Sequence, residues 1–148
     1  MRILLQRVSR ASVTVRGDLV ASIGPGLLLL VGVGKDDGFG EYDRLAQKVV
    51  NLRVFEDDDG KMNRSMADVG GEVLVVPQFT LYGDVRRGRR PSWDGAAPPE
   101  IAADRVEAFA RALEGHGATV RRGAFREHME VELVNDGPVT LWIDAAAR

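Results

Sequence analysis

Apolar and polar positions alternate along the first third of the chain, which is the pattern of half-buried β-strands. The turn formers Gly17-Asp18 and Gly24-Pro25-Gly26 interrupt this alternation. We therefore expect antiparallel hairpins at the start of the fold. The predicted strands are residues 3–8, 11–15, 19–23 and 27–33.

The period then changes to that of an amphipathic helix over residues 41–51. Its apolar stripe consists of Tyr42, Leu45, Ala46 and Val49. A second helix is predicted to open at Pro98-Pro99-Glu100, because proline suits the first turn, and to stop at Gly115-His116-Gly117. The stripe of this second helix consists of Ala102, Val106, Phe109 and Leu113.

The remaining pattern adds more strands. A short one at 53–55 precedes the acidic run 56–60, which we interpret as a solvated turn, since no glutamate follows at the closing position of a calcium loop. Residues 72–76 form a buried strand that Pro77 ends, and residues 78–82 are expected to continue past that break. The remaining predicted strands lie at residue 120 and in the segments 129–134 and 139–143. The predicted class is therefore α+β, compact and β-rich, with mostly antiparallel pairing and two main helices.

The composition narrows the function classes. With 148 residues we expect one domain, 1–148, and a net charge of −2 means that any contact with RNA must be local. Cysteine is absent, which excludes disulfides and a cysteine nucleophile. The apolar run 27–31 is too short to span a bilayer and no signal peptide opens the chain, so we expect a cytoplasmic protein without membrane contact.

The sequence lacks the usual signatures of catalytic sites. His116 and His128, the two histidines, have no spacing typical of a metal pair or a triad. There is no G-x-S-x-G elbow, no phosphate loop around Gly34-Lys35-Asp36 and no complete dinucleotide fingerprint. We therefore expect no metal and no cofactor. An enzyme of this kind needs an activated substrate, which it positions beside backbone groups that stabilise an oxyanion.

Three segments have unusual chemistry. Gln78-Phe79-Thr80-Leu81 ends a buried strand in polar groups; Arg86-Arg87-Gly88-Arg89-Arg90-Pro91 places four positive charges in one loop; and Asn135-Asp136-Gly137-Pro138-Val139-Thr140 joins the last two predicted strands. Each has an ordinary alternative. Thr80 is a normal β residue, the arginines could be a solvated loop, and Asn-Asp-Gly-Pro is a common turn. Singly, none of these segments identifies a function.

Taken together, these segments and others in the same order are similar to the D-aminoacyl-tRNA deacylase family, almost end to end. The further matching segments are Gln6-Arg7-Val8, Gly60-Lys61-Met62-Asn63-Arg64-Ser65, Asp68-Val69-Gly70-Gly71-Glu72 and Arg90-Pro91-Ser92. Two departures from the family pattern are Pro77, where serine is usual, and the charged segment 124–129, where the residues between Phe125 and Met129 are usually small.

The resemblance implies a barrel-like fold that forms a twofold homodimer, with aminoacyl-tRNA as substrate and the active site at the subunit interface. It also implies that Gly137-Pro138 is a cis peptide reaching into the partner's site. The residues that match the family's site are, for catalysis, Gln78, Phe79 and Thr80; for substrate binding, Gly137, Pro138, Phe125, Met129 and Arg7; and for tRNA, Arg86, Arg87, Arg89 and Arg90. Phe125 and Met129 would flank the terminal adenosine.

The implied reaction is hydrolysis of an ester that its own α-ammonium group already activates, which fits the missing triad. We expect the turn at Gln78, Phe79 and Thr80 to present backbone N–H groups to the developing oxyanion. Thr80 is either a hydroxyl or backbone donor that positions the ester or a covalent nucleophile, although no neighbouring base is identifiable. Gly137-Pro138 would reject L-esters by occupying the volume of their side chain, so achiral glycyl-tRNA should escape rejection. The competing classes are a non-catalytic RNA- or DNA-binding module and a dimeric scaffold.

Overall fold

The computed structural model describes residues 1–38 and 40–146. The strands are β1 (Arg2–Val15), β2 (Asp18–Ile23), β3 (Gly26–Gly32), β4 (Phe55–Glu56), β5 (Met62–Arg64), β6 (Glu72–Pro77), β7 (Thr119–Arg122) and β8 (Glu130–Asp144). The helices are α1 (Tyr42–Asn51), α2 (Met66–Val69) and α3 (Pro99–Gly115), with a 3-10 helix at Phe79–Tyr82. None of the helices within the described ranges has the length and apolarity needed to cross a bilayer.

The main sheet curls into a nearly closed barrel around β1. One edge of β1 pairs with β3 over Arg2–Val8 and with β2 over Ala11–Val15, while β8 runs along the other edge. The sheet continues from β3 to β6 and β7, and β2 in turn contacts β6 and β7. The pairs that β1 makes are antiparallel, whereas β3–β6 and β6–β7 are parallel. The prediction of a β-rich, mostly antiparallel α+β fold with two main helices is therefore confirmed.

The core lies on both faces of the central strands. Leu27 and Leu29 of β3 face α1 and α3, whereas Leu28 between them faces the barrel interior with Val13 and Leu74. A strand that is buried on both faces has a continuous apolar sequence without alternation. This explains why residues 27–31 are apolar without interruption.

Three sequence predictions about the strands are wrong. Residues 78–82 do not continue β6 as a strand, because after Pro77 the backbone turns into the 3-10 helix and makes its last ladder contact through Gln78 N–H to Val31 O, at 2.8 Å. The segment 135–140 does not connect two strands either, because β8 is one strand and both of its halves pair with β1. Residues 3–8 and 11–15 are likewise parts of one strand.

Candidate active site

The segment 135–140 forms a bulge in the middle of β8. Asn135 pairs with Val8 and Thr140 with Gln6, so residues 136–139 lie opposite the single residue Arg7. A bulge leaves the extra residues unpaired and projects them from the sheet. The peptide bond between Gly137 and Pro138 is cis, the geometry that the family resemblance implies, and both residues are exposed.

Arg7 fixes this bulge from below. Its side chain is 4% exposed, its Nε donates to Asp136 O at 3.1 Å, and its Nη1 donates to Val54 O at 2.6 Å. The exposed carboxylates of Glu56 and Asp136 lie 3.7 and 3.3 Å from the guanidinium. Because a buried guanidinium needs both charge partners and hydrogen-bond acceptors, this set accounts for its burial.

Asn135 closes the neck of the bulge. Its Nδ2 donates to Arg7 O at 2.9 Å and to Val139 O at 3.0 Å, while Thr140 Oγ1 donates to its Oδ1 at 3.3 Å. Gly137 adopts φ +130°, a conformation that L side chains rarely adopt. The bulge is therefore a fixed loop with a defined shape.

The 3-10 helix at Phe79–Tyr82 is the second structural feature of the candidate site. Leu81 N–H donates to Gln78 O at 3.3 Å and Gly83 N–H to Thr80 O at 2.9 Å. The N–H groups of Phe79 and Thr80, at the start of the helix, donate to no acceptor among the described residues, as expected for the first turn. The expectation that Gln78 presents a free N–H beside them is wrong, because that N–H donates to Val31 O. Gln78 Nε2 also hydrogen-bonds Thr80 Oγ1, so the threonine hydroxyl is oriented.

This 3-10 helix lies directly on β3. A Cβ atom on Gly32 would lie 2.9 Å from Gln78 O, so glycine is required for this close approach. The Phe79 ring projects into solvent at 55% exposure and contacts Trp93 edge to face, with ring centroids 5.2 Å apart.

A cavity of about 670 Å³ lies beside the 3-10 helix. It brings together Gln78, Phe79, Phe125 and Met129 of the predicted site. Its inner wall is apolar, and its volume lies within the range of small-molecule sites. Thr80, Arg7, Gly137 and Pro138 do not line the cavity, so within one chain the two features stay separate.

Trp93 also lines the cavity, although no periodic pattern or motif in the sequence indicates this residue. Its side chain is 41% exposed. The charged segment also contributes Arg126, Glu127 and His128. Glu127 pairs with Arg16 at 2.8 Å, which draws one charge away from the cavity.

The arginine loop separates into one paired and three unpaired side chains. Arg86 binds both carboxylate oxygens of Asp84, with a shortest contact of 2.6 Å, and these hydrogen bonds lower the pKa of Asp84 to about 2. Arg87, Arg89 and Arg90 are exposed and make no ion pair or hydrogen bond within the part of the chain that the structure describes. Three free cations therefore remain for an anionic partner.

No group of three or more Asp, Glu or His side chains is placed to hold a metal ion in residues 1–38 and 40–146.

Comparison with known proteins gives concordant matches over nearly the whole chain. The family model described as D-Tyr-tRNA(Tyr) deacylase matches residues 4–144. A protein of Thermomicrobium roseum named D-aminoacyl-tRNA deacylase is 61% identical over 146 residues, covering 99% of this chain and 95% of its own length. A protein of Heliobacterium modesticaldum with the same name is 58% identical, with coverages of 97% and 96%.

Two solved structures have similar folds. The structure described as c-Myc DNA Unwinding Element Binding Protein superposes with a TM-score of 0.93 at 38% identity, covering 99% of this chain and 100% of the other. A structure described as a probable eukaryotic D-amino acid tRNA deacylase superposes with a TM-score of 0.77 at 17% identity, with coverages of 96% and 97%. At that identity the second similarity concerns the fold alone.

Proposed function

The chain belongs to the D-Tyr-tRNA(Tyr) deacylase family, and from that premise we propose that it hydrolyses the ester of D-aminoacyl-tRNA to free D-amino acid and tRNA. The observation that carries the chemistry is the pair of unpartnered N–H groups on Phe79 and Thr80, beside a cavity of about 670 Å³. Because aminoacyl-tRNA occurs where translation occurs, we also propose a cytoplasmic location for the protein.

The two N–H groups would bind the oxyanion that develops on the ester carbonyl. Preorganised donors need no reorganisation during the reaction, and removal of one oxyanion-hole donor from a hydrolase costs about 2.7–4 kcal/mol of barrier. Attack comes from water, assisted by the terminal ribose hydroxyl of the tRNA. The α-ammonium of the substrate already activates the ester, so this stabilisation suffices without a triad.

Thr80 is proposed to position the ester, since Gln78 orients its hydroxyl and the hydroxyl has no hydrogen bond to a basic side chain among the described residues. Thr80→Ala should therefore retain part of kcat, with a loss of about tenfold, whereas a covalent nucleophile would be indispensable. Single-turnover deacylation of a D-aminoacyl-tRNA measures this. Activity below detection in a folded variant, or an acyl-enzyme trapped on wild-type Thr80, would contradict the positioning role.

The cavity is proposed to take the terminal adenosine of the tRNA. Phe125, Met129, Phe79 and Trp93 all line the cavity and offer it apolar and aromatic surface, which suits a planar base. A base in this cavity places the ribose and its ester near the start of the 3-10 helix. The reacting carbonyl would thus reach the N–H groups of Phe79 and Thr80.

Gly137-Pro138 is proposed to distinguish the configuration at the substrate α-carbon. The fixed bulge presents backbone atoms, so it can bind the ammonium and exclude an L side chain without reading which D-residue is attached. Glycine has only a hydrogen atom at the position where an L side chain would clash with the bulge, so this rejection does not act on a glycyl ester. Glycyl-tRNA is therefore a proposed second substrate.

We further propose that two single-domain subunits form a homodimer in which the bulge of one completes the site of the other. Two observations support this. The bulge residues do not line their own chain's cavity, and β8, which carries them, exposes Val134, Leu141 and Trp142. Large apolar side chains that stay exposed on one chain are candidates for contact with a second subunit.

A mixed dimer tests this arrangement. Let one subunit carry Gly137→Ala and the other Thr80→Ala. If each site combines the Thr80 of one subunit with the Gly137 of the other, one of the two sites is unchanged and the other carries both substitutions. Activity near half of wild type is then expected. Two self-contained sites would instead each carry one damaging change, so a mixed dimer no more active than the mean of its parent variants would contradict the shared site.

The arginine loop is proposed to contact the tRNA backbone. Replacing Arg87, Arg89 and Arg90 together with alanine should weaken tRNA binding and lower the slope of log Kd against log salt by about 2. The reason is that binding through fewer phosphate contacts releases fewer counterions from the tRNA. Selectivity between D- and L-esters should not change. Filter binding over a salt series measures the affinity and the slope, and deacylation of the two esters measures the selectivity.

A matched control removes the same charge from elsewhere. Arg10 and Arg111 are exposed and Arg64 is half-buried, and each is ion-paired, with Glu132, Asp58 and Glu107. Their triple alanine variant should keep most of the salt slope. Equal slopes in the two triple variants would show that the loop contributes only net charge.

A second candidate function is nucleic-acid binding without chemistry. The similarity to the structure described as c-Myc DNA Unwinding Element Binding Protein favours it, as do the three unpaired arginines. Both functions predict salt-dependent binding, so binding does not separate them. Turnover of a D-aminoacyl-tRNA by the purified protein does.

A further inference from the structure

Arg2 contacts the far end of the 3-10 helix through several groups at once. Its Nη1 donates to Leu81 O at 2.9 Å, and its guanidinium lies 4.4 Å from the centroid of the Tyr82 ring. The Nε of Arg2 donates to the Asp144 carboxylate at the end of β8, at 3.2 Å. The Arg2 guanidinium also lies 5.9 Å from the centroid of the Trp142 ring. The side chain thus joins two consecutive residues of the 3-10 helix to the sheet.

Tyr82 also packs against β3 and the loop that follows it. A Cβ on Gly34 would lie 2.7–2.9 Å from atoms of the Tyr82 ring, so the ring packs directly on that backbone. Tyr82 Oη lies 3.5 Å from Asp37 Oδ2, which accepts from Gly34 N–H at 2.7 Å. Burial raises the pKa of Tyr82. The ring therefore contacts Arg2 and the backbone at Gly34, and its hydroxyl lies near Asp37.

We propose that Arg2 and Tyr82 act as positioning residues that set the orientation of the Phe79 and Thr80 N–H groups, an inference that rests on the proposed role of those groups. We call the two side chains the Arg2–Tyr82 clamp. The start of the 3-10 helix is fixed by Gln78 N–H on Val31 O, and the clamp fixes its end. With both ends fixed, a one-turn helix has little freedom to rotate its free donors.

Neither residue touches the cavity where the adenosine is proposed to bind. The clamp should therefore act on the transition state and leave substrate binding unchanged, since it sets donors that meet the developing oxyanion. A displacement of the donors by about 1 Å can cost up to 100-fold in rate. The expected signature is a lower kcat with an unchanged KM for the D-aminoacyl-tRNA.

The chain offers a matched control in Arg10. Arg10 also lies on β1 and pairs with a carboxylate of β8, Glu132, at 2.7 Å, but it has no contact with the 3-10 helix. Arg2→Ala and Arg10→Ala both remove one β1–β8 ion pair. We expect Arg2→Ala to lower kcat about tenfold with KM unchanged, and Arg10→Ala to leave both near wild type.

A second variant reaches the clamp without touching Arg2. Gly34 has a backbone conformation open to alanine, so Gly34→Ala adds only a methyl group that must displace the Tyr82 ring. It should reproduce the loss of kcat. Tyr82→Leu should do the same, and Tyr82→Phe should recover most of that loss, because the ring supplies the packing and the cation–π contact.

Amide hydrogen exchange supplies a readout that does not depend on the proposed reaction. Leu81 and Gly83 N–H donate inside and just after the 3-10 helix, so their exchange should rise about tenfold in Arg2→Ala relative to Arg10→Ala. Faster exchange with unchanged kcat would overturn the catalytic role of the clamp, and unchanged exchange in an active enzyme would overturn the clamp itself. A wild-type protein without turnover would instead overturn the proposed function, and the positioning role with it.

Discussion

Gly137→Ala is expected to lower kcat/KM for a D-aminoacyl-tRNA by about 100-fold, because the bulge that carries Pro138 cannot keep its shape. The new Cβ would lie 2.8 Å from Val139 Cγ2 and 2.9 Å from Val139 N, and 3.1 Å from the Arg7 guanidinium. The φ of +130° is also unfavourable for alanine. Steady-state deacylation with D-aminoacyl- and glycyl-tRNA measures the effect, and both substrates should be affected.

Gly60→Ala is the matched control for this loss. Gly60 also has a positive φ, +75°, but a Cβ there meets nothing within 4 Å. The control therefore carries the cost of an unfavourable backbone conformation without a steric clash. If Gly137→Ala is as active as Gly60→Ala, then the shape of the bulge does not matter for the reaction.

Arg7→Ala should damage both activity and stability. The variant leaves the buried Val54 O and the partly buried Asp136 O without their donor, and a buried acceptor without a partner costs about 1–3 kcal/mol. We expect the free energy of unfolding to fall by about 2–4 kcal/mol and D-ester hydrolysis to fall with it, since the bulge loses its support. Urea denaturation and deacylation at a temperature where the variant is folded measure the two effects separately.

Two further variants make this prediction specific. Arg7→Lys keeps the charge but cannot reach Asp136 O and Val54 O together, so it should recover only part of the loss. Arg10→Ala, three positions along β1, removes an exposed ion pair and should cost less than about 1 kcal/mol. Equal stability and equal activity in Arg7→Ala and Arg10→Ala would mean that Arg7 does not support the bulge.

The sequence pattern predicts helices better than it predicts pairing. The apolar stripes place α1 and α3 within a residue of their observed bounds, because each helix has one buried face. The path of β8 is different. Both of its halves pair with β1, and no local signal separates this from a hairpin, because a strand's partner is set by long-range packing.

The candidate site was predictable only in part, for a related reason. The family resemblance indicated Gln78, Phe79, Thr80 and Gly137-Pro138, whereas their chemistry alone was ordinary. The 3-10 helix was missed because Phe79, Leu81 and Tyr82 are typical strand residues, and Pro77 marks the end of a strand without specifying the next element. Arg2 was missed because its partner Leu81 is 79 positions away.

The most direct test of the proposed function compares D-, L- and glycyl esters of one tRNA, each incubated with purified, EDTA-treated protein under the same conditions. Selection by excluded volume predicts hydrolysis of the D- and glycyl esters, with the L-ester slower by at least about 100-fold, a difference of roughly 2.7 kcal/mol in barrier. Equal rates of hydrolysis of the D- and L-esters would contradict selection by the Gly137-Pro138 bulge. Hydrolysis of the D-ester without hydrolysis of the glycyl ester would contradict it as well. No hydrolysis of any ester would contradict the deacylase function itself.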